Sequence, residues 1–149
     1  MENTLNKPSN FRLNTKSREM IMDIAVYLFI ILFMYTAASK LFTIKSFAST
    51  LAKSPLIGSL NMFVAWSIPL VEIAISLVLI IPKYRKTGMR AALLLMTIFT
   101  VYLSYMILSS SKLPCHCGGV ISKMSWQQHI WFNIGFILLA LTGLQSQKK

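Results

Sequence analysis

The chain has 149 residues, of which 55% are apolar and 13% charged, and fifteen Lys and Arg against four acids leave a net charge of +11. A soluble domain averages about 45 to 50% apolar and about 25% charged residues, so the composition points to lipid as the solvent. The basic residues stand between long apolar runs and do not gather on one polar face, which excludes a nucleic-acid interface, and two cysteines are too few for a disulfide scaffold or a closed four-ligand zinc site.

Residues 1–19 are polar and include Pro8, Ser9 and Asn10, which reads as a disordered tail. The first apolar run, residues 20–41, makes about 33 Å of helix and matches a hydrocarbon core of about 30 Å. Small residues Ala37, Ala38 and Ser39 near its end resemble a signal-peptide cleavage site. The run, however, exceeds the about 7 to 15 residues of a signal core, so a retained span is expected. Ile44, Phe47, Ala48, Leu51 and Ala52 then recur at helical spacing beside Lys45 and Lys53, the pattern of a short helix lying in the interface.

The second span covers about residues 60–81, with Pro69 expected to kink it and Pro82 to stop it; Pro55 after Ser54 offers a start one turn earlier. The third, residues 89–108, contains neither proline nor glycine. The fourth, residues 126–144, opens on a capping box, Ser125 with Gln128, and is followed by Lys148 and Lys149 in the C-terminal segment 146–149. No internal repeat and no second domain interrupt this order. The expected fold is an all-α membrane protein, a four-transmembrane-helix up-and-down bundle over residues 20–145.

Positive charge orients such a bundle, because Lys and Arg accumulate in cytoplasmic loops. Lys7, Arg12, Lys16, Arg18, Lys83, Arg85, Lys86, Arg90, Lys148 and Lys149 fall on one side; Lys40, Lys45, Lys53, Lys112 and Lys123 fall on the other. Both termini are therefore expected in the cytoplasm, with Cys115 and Cys117 outside, where in a bacterium disulfides are permitted.

The loop before the fourth span reads Leu113-Pro114-Cys115-His116-Cys117-Gly118-Gly119. Cysteines two apart bridge only through a small, strained ring, and strained, exposed disulfides are the labile or catalytic ones. Gly118 and Gly119 supply the backbone freedom such a ring needs. A protonated His116 would favour the thiolate, the reactive form. Two other readings stay open: reduced, inert thiols, and soft ligation of copper(I) or zinc by Cys115, Cys117, His116 and His129, although the spacing is not that of an established zinc motif. The redox reading expects no bound metal.

Glu72 falls near the middle of the second span, where a carboxylate is costly and must face the bundle interior. It is either a functional group or a hydrogen-bonded tie between helices. By depth, Thr36, Ser39, Ser67, Tyr102, Ser104, Tyr105, His129 and Asn133 fall in the same half of the membrane as the cysteine loop; the other half has few polar groups beyond Tyr27, Ser76, Thr97 and Thr142. His129 and Asn133, four apart, share a helix face. A polar pocket under the loop, with Glu72, Tyr102, Tyr105, His129 and Asn133, is where a quinone would be sought. Taken singly, each Tyr, Ser or Thr has packing or interfacial anchoring as its ordinary explanation, and Trp126 and Trp131 belong to an aromatic belt.

Ala38-Ser39-Lys40-Leu41, Pro69-Leu70-Val71-Glu72 and Cys115-His116-Cys117-Gly118 on this four-span frame make the chain resemble the MauE/DoxX group of redox-associated membrane proteins, over about residues 20–145. The resemblance implies a bacterial inner-membrane protein tied to thiol-disulfide chemistry. In the methylamine-utilisation branch, it further implies support for a thioredoxin-like partner that matures a periplasmic enzyme. Gly118-Gly119 depart from the Cys-x-Cys-Phe-Gly form of that branch, and no residue here identifies an amine substrate. On this reading Cys115, Cys117, His116 and Glu72 carry the chemistry of a thiol-disulfide oxidoreductase or of its membrane partner. A metal-handling protein and a noncatalytic membrane subunit are the alternatives.

Overall fold

The computed structural model describes residues 14–54, 56–109 and 125–146. They form five α-helices: α1 (Thr15–Phe42), α2 (Ile44–Ala52), α3 (Asn61–Ile80), α4 (Arg85–Leu108) and α5 (Trp126–Ser146). Short 3-10 turns at Gly58–Leu60 and Pro82–Tyr84 lead into α3 and α4. All but α2 are long and apolar enough to cross a membrane. Helix is what lipid demands of these segments, since only there are the backbone groups paired within the segment itself.

Two helices start before their apolar runs. Residues 15–19, expected in the tail, form the first turn of α1, with Arg18 N donating to the Asn14 carbonyl at 3.1 Å. α4 likewise starts at Arg85, not at residue 89, so Gly88 lies inside it. Lys, Arg and Glu are good helix formers, so the helical ladder continues through polar turns that hydropathy does not register. Arg85 hydrogen-bonds Asp23 of α1, which ties the two helix starts together.

The helices run up and down. The start of α1, the α3–α4 turn and the end of α5 share one end: beside the Asp23–Arg85 pair, Ser146 Oγ donates to the Arg18 carbonyl at 3.3 Å. At the other end Ser54, just after α2, reaches Met106 near the end of α4. α1 packs on α3 and α5, and α4 packs on those same two helices, so α1 and α4 are nearly diagonal. The main core joins Met22, Val26, Phe29 and Phe33 to Leu79, Met89, Met96 and Ala140. Phe29 meets Phe33 and Phe136 edge to face, at centroid distances of 5.5 and 5.2 Å.

The expected short helix is present as α2, with Lys45 and Lys53 exposed beside it. Its apolar stripe, Phe47, Ala48 and Leu51, is turned against Ala65, Val64 and Ile68 of α3. Asn61 Nδ2 donates to the Ala48 carbonyl at 3.2 Å and fixes that contact. α3 continues as helix through the buried Pro69. Large apolar side chains, among them Ile31, Phe63, Leu94, Val101 and Trp131, cover the outside of the bundle. An outer surface of that kind is wrong for water and right for acyl chains.

Candidate functional site

Thr36 and Lys40 are four apart on α1, so both side chains fall on one face. That face is turned to α3, where Glu72 sits among Pro69, Ile75 and Ser76, all buried. Lys40 Nζ donates to Glu72 Oε1, forming an ion pair in which Lys40 is 5% exposed and Glu72 1%. Lys40 also stands 5.3 Å from the centroid of the Phe99 ring on α4. The pair is thus held between three helices and shielded from lipid. Glu72 faces the bundle interior, as its depth required. Lys40, counted in the sequence with the loop charges, is instead an interior residue. The signal was there: it lies inside the apolar run of residues 20–41, one turn after Thr36.

The pair borders a cavity of about 310 Å³. Leu32, Phe33, Thr36 and Lys40 of α1 form one wall, with Val64, Ile68 and Glu72 of α3 beside them. α4 contributes Met96, Phe99, Tyr102 and Leu103; α5 contributes His129, Phe132 and Asn133. Phe47 and Leu51 of α2 close a further side. The walls are therefore almost wholly apolar and aromatic, with a few polar groups at defined places. The cavity occupies the half of the bundle where α4 ends and α5 begins, and residues 110–124 connect those two helices.

Side-chain hydroxyls in the spans sort cleanly from the other polar groups. Ser67, Ser76, Thr97, Ser104 and Thr142 each donate to a carbonyl of their own helix, at 2.8 to 2.9 Å. Such back-bonding satisfies the hydroxyl locally and leaves nothing to recognise a ligand. Thr36 also donates to its own helix, to the Phe33 carbonyl at 3.3 Å. Five other side-chain atoms are buried without a hydrogen-bond partner among the described residues: Arg18 Nε and Arg85 Nε at the Asp23–Arg85 end of the bundle, and, at the other end, the group of three formed by Glu72 Oε2, His129 Nδ1 and Asn133 Nδ2. The residues of that group of three all line the cavity.

Of the expected pocket residues, Glu72, Tyr102, His129 and Asn133 are brought together around this space, whereas Tyr105 is not. Tyr105 is 41% exposed on the outside of α4. It shares the depth of Tyr102, but three residues turn a helix by about 300°, which separates the two azimuths. Cys115, His116 and Cys117 lie outside the described residues. Ser125 and Gln128, which frame the start of α5, form the expected reciprocal cap: Ser125 N donates to Gln128 Oε1 at 3.0 Å and Gln128 N to Ser125 Oγ at 3.3 Å. One turn into α5, His129 is thereby placed at the rim and Asn133 a turn deeper.

No curated protein and no solved structure matches the chain significantly. A family model does: that of methylamine utilisation protein MauE matches residues 18–146, from the first turns of α1 to the last residue of α5. With a match over most of its length, the chain belongs to the MauE family.

Proposed function

We propose that this MauE-family membrane protein carries out thiol-disulfide exchange through Cys115 and Cys117 with a thioredoxin-like protein outside the cytoplasm of a bacterium, in support of the maturation of a periplasmic enzyme. The observation that carries the reading is the Cys115-His116-Cys117 sequence in the segment joining α4 to α5, at the end of the bundle whose interior holds Lys40, Glu72, His129 and Asn133. Family membership supports a role of this kind.

In the exchange, a thiolate of the partner attacks one sulfur of the Cys115–Cys117 disulfide, and that S–S bond breaks as a mixed disulfide forms. The partner's second thiolate then displaces the bound cysteine. The partner leaves as a disulfide, and Cys115 and Cys117 remain as a dithiol holding two electrons and two protons. A ring closed by cysteines two apart is strained, which raises its potential and favours this direction. His116, between the two cysteines in sequence, would favour the thiolate when it is protonated.

Charge supports the orientation that the chemistry needs. With Lys40 inside the bundle and paired to Glu72, the described basic residues divide as Lys16, Arg18, Lys83, Arg85, Lys86 and Arg90 at one end against Lys45 and Lys53 at the other, the distribution expected if the first end faces the cytoplasm.

Single substitutions Cys115→Ser and Cys117→Ser provide the test. The cysteine left in one of them should hold a partner as a mixed disulfide, visible as a higher band on a non-reducing gel that reductant collapses. If neither variant traps a partner and the double variant complements a deletion fully, the exchange reading is overturned.

A further inference from the structure

We propose that the interior cavity is a binding site for a lipid-phase quinone, whose carbonyl oxygens are received by Asn133 and His129 and whose ring lies among Phe99, Tyr102 and Phe132. For the electron transfer described below, and for that alone, the inference rests on the thiol-exchange reading.

The cavity falls in the size range of small-molecule sites and has their make-up, an apolar lining with a few fixed polar groups. Those polar groups decide the ligand class. Asn133 is 3% exposed, and its amide nitrogen has no partner among the described residues. His129 is half-buried, and its Nδ1 atom is likewise buried without a partner among the described residues. A buried polar group left unmade is costly, by about 1–3 kcal/mol in general; the Asn133 amide calls for an acceptor on the ligand, and the His129 nitrogen pairs with a donor or an acceptor according to its tautomer. Acyl chains alone would fill the volume and leave both nitrogens unpaired. An anionic head group would find no free charge, because Lys40 is neutralised by Glu72. A neutral, planar, lipophilic molecule with carbonyl acceptors satisfies every constraint, and the aromatic rings of the lining suit a flat π-system.

The proton-bearing groups match as well. Reduction of a quinone forms two O–H bonds and consumes two electrons and two protons. Oxidation of the Cys115 and Cys117 thiols breaks two S–H bonds, forms one S–S bond and releases the same two electrons and two protons. The quinone is thus the oxidant and leaves as the hydroquinone, and the pair returns to the disulfide that the partner protein consumes. The His129 imidazole and the Glu72 carboxyl, with its unpartnered Oε2, stand at the cavity to hold or pass the protons.

The full chain, in discs of synthetic quinone-free phospholipid, is labelled with a photoactivatable azidoquinone in competition with decylubiquinone. The expected result is saturable labelling, mapped by peptide mass spectrometry to the cavity faces of α4 and α5 and suppressed by decylubiquinone. Asn133→Leu and His129→Leu should each weaken that competition at least ten-fold while the ligand-free melting temperature holds or rises, because leucine leaves no unpaired polar atom. Val101→Ala, on the lipid side of α4, should bind as the wild type does. Cys115→Ser with Cys117→Ser should retain full binding. Labelling that does not saturate, or that maps only to outward-facing side chains, would overturn the inference on the wild-type protein without any variant. Unchanged competition in both leucine variants would overturn it too. Quinone binding in a protein whose cysteines prove inert would support the cavity assignment and remove the exchange reading; thiol exchange in a protein that binds no quinone would do the reverse.

Discussion

At the scale of single residues, the Lys40–Glu72 pair is the most consequential feature of the described structure. Both charges are out of solvent, and each is tolerable only because the other is there. Removing one partner should therefore cost about 3–5 kcal/mol, whereas replacing both by apolar residues of similar size should restore most of it. Glu72→Gln and Lys40→Met are expected to lower the unfolding midpoint in a denaturing-detergent titration, and Lys40→Met with Glu72→Leu to recover it. A loss in the double variant equal to the sum of the two single losses would mean that the two residues do not interact. Half of this pair was legible in the sequence. Glu72 announces itself by depth alone, as a carboxylate within an apolar run has to face inward. Lys40 looks like an ordinary helix-end cation, and only the packing of α1 against α3 converts it into a partner. Tyr102 and Tyr105 make the same point: depth follows from sequence, but azimuth follows from neighbours.

At the scale of elements, close approach and capping set the helix positions. Gly88 of α4 packs against α3 so tightly that a Cβ there would lie 2.9 Å from Leu79 Cδ2 and 3.2 Å from the Leu79 backbone nitrogen. Gly88→Ala should thus cost about 1–3 kcal/mol as overpacking, read as a lower unfolding midpoint, although alanine is the better helix former. An increase in stability would show that the α3–α4 turn has room to relax. At the start of α5, Ser125→Ala removes the side-chain half of the cap and should cost about 1 kcal/mol; a midpoint unchanged within error would place the stability of α5 in its packing alone. The cap could be read from Ser125 and Gln128, since its two hydrogen bonds are local. Gly88 could not, because nothing local distinguishes it from any glycine in a membrane helix. The polar first turns of α1 and α4 escaped for a related reason: apolar periodicity marks where a helix meets lipid, not where its ladder begins.

At the scale of the whole molecule, apolar composition and the spacing of the runs carried the four-helix bundle, and the family match agrees with it. The cavity could not be read that way. It arises where five helices leave a space, and its lining residues come from positions as far apart as Leu32 and Asn133. The bundle's two ends also differ in chemistry. One carries the Asp23–Arg85 pair and the run Lys83, Arg85, Lys86 and Arg90; the other carries α2 and the cavity. If both termini lie in the cytoplasm, as proposed, a membrane-impermeant maleimide added to intact spheroplasts should label reduced Cys115 and Cys117 fully, and labelling only after permeabilisation would invert the topology.

The most direct test of the exchange reading is the redox state of Cys115 and Cys117 in growing cells, fixed by acid quench and counted by the mass added on alkylation with and without prior reduction. A mixed population of dithiol and reductant-sensitive disulfide, shifting toward dithiol when its oxidant is depleted, is the predicted result. Thiols fully reduced under every condition would contradict it.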